Sequence, residues 1–140
     1  MAYCTQDDIL KMISPEELAE LTAEAGGTPD SQVVADAISR GEAEIEAYLG
    51  TVYAVPLSPV PPLLKALAVD LAIYHLYSRR SVVPPVRKQK YEAAVTFLKE
   101  VAAGQAVVAT ASGQPAATNR ETTELTGAER LFRRDTLKDW

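Results

Sequence analysis

The chain has 140 residues, 47% of them hydrophobic and 24% charged, with a formal net charge of −5. That length suits one domain able to bury a core without covalent staples. A single Cys (Cys4) excludes an internal disulfide framework and any multi-cysteine zinc site, and a single His (His75) removes most triads, histidine metal clusters and histidine acid–base pairs.

The chain opens on a short helix. Thr5 is its expected N-cap, with Asp8 three residues on in the capping-box position. Ile9, Leu10, Met12 and Ile13 supply its apolar stripe. A second start signal follows at Ser14-Pro15-Glu16-Glu17, where Ser caps, Pro takes the first helical position and Glu17 can reach back. Leu18 and Leu21 give this helix a buried side, and Gly26-Gly27 is the expected stop.

Asp30 or Ser31 caps a longer third helix. Val34, Ile38, Gly41, Ile45, Tyr48 and Leu49 recur at steps of three and four, which puts them on one face. Asp36, Glu42, Glu44 and Glu46 fall mostly off it. An interior Gly costs about 0.5–1 kcal/mol relative to Ala, so Gly41 predicts the close approach of another helix. Residues 51–62 read as a loop, because Pro56, Pro59, Pro61 and Pro62 deny it a regular ladder. Its apolar Val52, Tyr53, Val55 and Leu57 predict that it lies packed across the domain.

Pro62 opens the most apolar helix. From Leu63 to Tyr77 only Lys65, Asp70 and His75 are clearly polar, which predicts a central, buried element. Asp70 is the expected buried carboxylate, since Leu67, Val69, Leu71 and Ile73 surround it in sequence. Pro84-Pro85 separates this helix from a fifth, about Val86 to Ala103, with Tyr91, Ala94, Val95, Leu98 and Val101 as its stripe and Gly104 as its stop. A short turn between the two predicts antiparallel packing.

After Gly104 the chain becomes rich in Ala, Thr, Ser, Gly and Gln up to residue 128. Such a segment buries too little to offset its ordering entropy. Val107 and Val108 could add a short strand to a partner edge, and Leu131, Phe132, Leu137 and Trp140 follow as apolar anchors. The expected organisation is therefore all-α: about five helices in a compact bundle over residues 1–104, with an extended C-terminal arm over 105–140 that docks a neighbouring subunit.

Charge is unevenly spread. Residues 1–50 carry 11 acids and 2 bases, residues 51–100 carry 3 acids and 7 bases, and residues 101–140 carry 5 of each. Opposite signs on two regions suit head-to-tail contact between copies. Arg79, Arg80, Arg87, Lys88 and Lys90 cluster at the turn between the fourth and fifth helices, a candidate contact for double-stranded DNA or an acidic neighbour. No P-loop or dinucleotide-binding glycine pattern occurs, so no cofactor is expected. No metal is expected around His75, and Cys4 is expected to be an inert thiol. No run of apolar residues is long enough to span a bilayer, and no basic n-region precedes an apolar stretch, so neither a membrane contact nor a signal peptide is expected.

Several segments resemble a family of small proteins from Mu-like phages and prophages. They are Met1-Ala-Tyr-Cys-Thr-Gln-Asp-Asp-Ile-Leu10, Glu44-Ile-Glu-Ala-Tyr-Leu-Gly50, Tyr53-Ala-Val-Pro-Leu57, Pro62-Leu-Leu-Lys-Ala-Leu-Ala-Val-Asp-Leu-Ala-Ile-Tyr74, Tyr91-Glu-Ala-Ala-Val-Thr-Phe-Leu98 and Phe132-Arg-Arg-Asp-Thr-Leu137. The likeness covers nearly the whole chain in order. It implies similarity to the helical head-to-tail connectors, or adaptors, of tailed phages. It implies a structural, non-enzymatic virion protein, met in the host cytoplasm during assembly. Copies would form a ring beneath the portal protein, extend the DNA channel and present a docking surface to the next connector or tail protein. A second reading is a helical DNA-associated or regulatory module using the basic turn from Arg79 to Lys90. A third, an enzyme, rests only on Asp70 and His75 sharing one helix.

Overall fold

A computed structural model describes residues 2–23, 27–110 and 112–118. Five helices follow one another among the described residues: α1 (Gln6–Leu10), α2 (Pro15–Thr22), α3 (Ser31–Leu49), α4 (Pro62–Arg79) and α5 (Pro85–Ala102). The class is all-α, and the described residues form no sheet, only two isolated antiparallel bridges.

The helix ends follow their local chemistry. Thr5 and Asp8 form the full capping box of α1. The Ser14 hydroxyl accepts the Glu17 amide at 3.2 Å, with Pro15 at the first position of α2. Asp30, not Ser31, caps α3, its carboxylate accepting the amides of Gln32 and Val33. α2 stops at Thr22, before the glycines expected to end it. The buried Thr22 hydroxyl donates to the Leu18 carbonyl at 2.8 Å and accepts the Asp30 amide at 3.0 Å, which ties the end of α2 to the start of α3. Gly104 closes α5 with φ +79°, its amide bonding the Val101 carbonyl while the Gln105 amide reaches Glu100. That is the left-handed Schellman ending that glycine favours.

α4 is central and packs against each of the other four helices. Leu64, Leu71, Ala72 and Ile73 are fully enclosed, and Leu67, Ala68, Val69 and Leu76 are nearly so. Its closest neighbour is α3, and the reason is Gly41. A Cβ built there would sit 3.2 Å from Leu71 Cβ and 3.4 Å from the Ala72 backbone nitrogen. The absent side chain lets the two helices approach almost backbone to backbone. α5 then folds back on α4, burying Ala94, Leu98 and Val101.

The loop after α3 is part of the body. Val52 and Tyr53 are buried, and the Leu57 amide donates to the Tyr3 hydroxyl at 3.3 Å. The segment after Gly104 behaves differently from its expected form as far as residue 118. It turns at Gly113 (φ +78°), with the Thr110 amide on the Gln114 carbonyl and the Ala116 amide on the Val108 carbonyl. Val108 lies wholly within the core of its own chain, and its amide donates to the Tyr53 hydroxyl at 3.0 Å. Composition alone understated this segment, because the buried Val108 side chain and the bond from its amide to the Tyr53 hydroxyl tie it to the body.

Two substitutions test this packing by chemical denaturation. Gly41→Val forces α3 and α4 apart and is expected to cost about 2–3 kcal/mol, as overpacking does; a neutral result would place the helices farther apart than described. Tyr53→Phe strands the buried Val108 amide and is expected to cost about 1–3 kcal/mol, with faster hydrogen exchange at that amide.

Candidate functional site

Two polar features stand out: the basic turn between α4 and α5, and a cluster that joins three helices. The cluster centres on Glu44 of α3. One of its oxygens lies 3.2 Å from His75 Nε2 on α4, and the other accepts the Tyr91 hydroxyl of α5 at 2.8 Å. Tyr91 stacks on Tyr74 of α4, ring centroids 3.8 Å apart and planes 12° from parallel. Burial pushes the Tyr91 phenol up to about 12, helped by its bond to Glu44 and that carboxylate's field. The phenol therefore stays protonated and keeps donating. All three groups are half-buried, so the arrangement orients side chains and locks helix against helix.

At the basic turn four of the five expected cations fall into two pairs. Arg79 Nη1 donates to the Leu21 carbonyl at 3.3 Å, and Arg80 donates to the Leu21 and Ala23 carbonyls at 3.4 and 2.9 Å. These two guanidinium groups close the C-terminal end of α2, where carbonyls lack helical partners and the helix dipole favours a cation. Both side chains remain exposed, so these bonds use only part of each guanidinium. Arg87 is partly exposed and Lys88 exposed. Beside them Val82 and Val86 are 71% and 60% exposed, an apolar tip rimmed by positive charge.

Asp70 is also corrected. It is half-buried, and the buried carboxylate of the described residues is Asp8. Burial raises the Asp70 pKa, while the fields of Lys90 and Arg87 oppose that rise. Burial also pushes Asp8 up, but a Lys65 ammonium at 3.0 Å, the Thr5 amide and hydroxyl at 3.0 Å each, and Lys11 at 3.2 Å outweigh it. Together they hold its carboxyl well below the usual carboxylate range. Asp8 thus caps α1 and pins it to α4 through Lys65.

Of the expected intersubunit arm, Val108 is corrected: it is enclosed by its own chain and offers no side chain to a partner. Val107 is 59% exposed. Leu131, Phe132, Leu137 and Trp140 lie outside the described residues. Cys4 is buried, and that burial pushes its thiol up to about 11. Among the described residues no group of three or more His, Cys, Asp or Glu is placed to hold a metal ion, and no helix is long and apolar enough to cross a membrane.

Among the described residues, fold and surfaces together define a small all-α protein whose polar groups join helices and whose apolar, basic tip is exposed. Comparison with known proteins then gives its family. The family model described as Bacteriophage Mu, Gp36 matches residues 3–126, and the chain belongs to that family. A curated relative, the Mu-like prophage FluMu protein gp36 of Haemophilus influenzae, is 27% identical over 103 residues, covering 73% of this chain and 72% of the relative.

The Asp8 geometry sets a pH dependence. A carboxyl held below its ordinary value by folding contributes stability that is present above that value and lost as pH falls through the folded one. Between pH 5 and pH 2 the melting temperature of the native chain is expected to fall more steeply than that of Asp8→Asn. Parallel curves for the two proteins would mean that Asp8 ionises alike in the folded and unfolded chain.

Proposed function

We propose that the chain is a structural, non-catalytic virion protein: a phage head-to-tail connector that assembles as a ring beneath the portal and extends the channel for double-stranded DNA. The family supports a phage setting. The observation that carries the reading is the uncovered tip between α4 and α5. Val82 and Val86 present apolar surface to solvent, with Arg87 and Lys88 beside them. Exposed apolar side chains rimmed by charge suit a contact that another protein completes. The acid-rich first 50 residues of the next copy supply a complementary field. The portal, a downstream connector or tail protein and the channel DNA are the partners of this role, in the virion and, during assembly, the host cytoplasm. The C-terminal anchors Leu131, Phe132, Leu137 and Trp140 add a docking arm to a neighbouring subunit. The alternative is a DNA-associated module using the whole basic turn, in which Arg79 and Arg80 would serve DNA as well as the carbonyls at the end of α2.

Negative-stain electron microscopy of the chain mixed with purified portal tests the reading. Rings seated on portal are expected from the native protein. Val82→Ser combined with Val86→Ser is expected to abolish them while leaving helicity unchanged, since both side chains are exposed. Normal seating of that double variant would remove the tip from the interface. Salt-sensitive binding of free duplex by the monomer, with no portal complex, would favour the DNA-associated module.

A further inference from the structure

The groove between α3 and α4 holds a cavity of about 300 Å³ that the connector role leaves unused. Ala37 and Leu76, both buried, line it with apolar surface. Arg40 of α3 and His75 and Arg79 of α4 line it with nitrogen. His75 and Arg79 are four residues apart, so they share one face of α4.

The donors there are only partly used. Arg79 gives one N–H to the Leu21 carbonyl, and a guanidinium has five. Among the described residues no carboxylate lies within ion-pair distance of Arg40 or Arg79. His75 is held through Nε2 on Glu44, which leaves Nδ1 as its other ring nitrogen. Asp36 also lines the cavity, and its carboxylate already accepts from Gln32 Nε2 at 3.0 Å. The lining itself holds two guanidinium groups against one carboxylate, and the Glu44 carboxylate lies behind His75.

We propose that this cavity binds a small organic anion through a phosphate or carboxylate head, with Arg40 and Arg79 clamping the oxygens and Ala37 and Leu76 receiving its apolar stem. The guanidinium fork matches the geometry of such oxyanions. The volume suits a small molecule, and the recess suits a compact ligand better than a stiff duplex. The assignment stands apart from the connector role, since it uses neither the α4–α5 tip nor the C-terminal arm.

His75 is the chain's one histidine, so its ring signals in a proton–carbon NMR spectrum report on the cavity without ambiguity. Phenyl phosphate titrated into the full chain at constant ionic strength is expected to shift those signals saturably. Inorganic phosphate, which lacks the stem, is expected to bind more weakly. A short DNA duplex is expected to shift them no more than inorganic phosphate at equal phosphate concentration. Arg40→Gln, at an exposed position outside the α2 contact, is expected to weaken phenyl phosphate about tenfold with the fold intact, as loss of a charged hydrogen bond does. Arg87→Gln is expected to leave binding unchanged. A shift that never saturates, equal affinity in Arg40→Gln, or a preference for the duplex would overturn the proposal.

Discussion

The near-contact of α3 and α4 at Gly41 is the constraint on which the rest of the molecule depends. With Leu71 Cβ 3.2 Å from where a Gly41 Cβ would lie, α3 and α4 meet with almost no side chain between them. That spacing brings Glu44 within reach of both His75 and Tyr91, so α5 is locked against the same pair. A larger residue at position 41 would therefore disturb the α3–α4 joint and the seating of α5 together. Glycine loses more backbone freedom on folding than alanine would. Here the tight apposition of two helices offsets that loss, because close-packed interiors gain dispersion contacts at short range.

The second organising feature is the division of the cations. Arg79 and Arg80, though exposed, donate to carbonyls at the end of α2, while Arg87 and Lys88 stand at the tip with Val82 and Val86. One short stretch of chain thus serves folding on one side and presents an uncovered surface on the other. Asp8 performs a matching task at the opposite end of α4. Its carboxylate caps α1 and pairs with Lys65. Charged groups near the core are in this way used as joints, and the acid-rich exposed faces are left to solvent or to neighbours.

Much of the fold was legible because its signals are local. Thr5 with Asp8, Ser14 with Glu17, and Gly104 after α5 each act within a turn of chain, and the capping chemistry appears in the residue types. Gly41 was legible as a gap in an apolar stripe. The polar cluster was not. Glu44 is 31 residues from His75 and 47 from Tyr91, and only helix packing sets them together. The same holds for Arg80 and Ala23, 57 residues apart, and for Val108 and Tyr53, 55 apart. Asp70 misled because apolar sequence neighbours on a helix point in other directions. Its own side chain is turned so that it feels Lys90 and Arg87. Asp8 sits among polar neighbours in sequence, yet it is the carboxylate that Lys65 helps to cover.

The central claim is that the chain is a component of the particle, placed between portal and tail. A reconstruction by electron cryo-microscopy of the head-to-tail junction of the phage that encodes it tests this most directly. The expected result is a ring of subunits directly beneath the portal, encircling the DNA channel, with the α4–α5 tip buried in a protein contact. Particles in which that position is filled by other proteins, and from which this chain is absent, would contradict it.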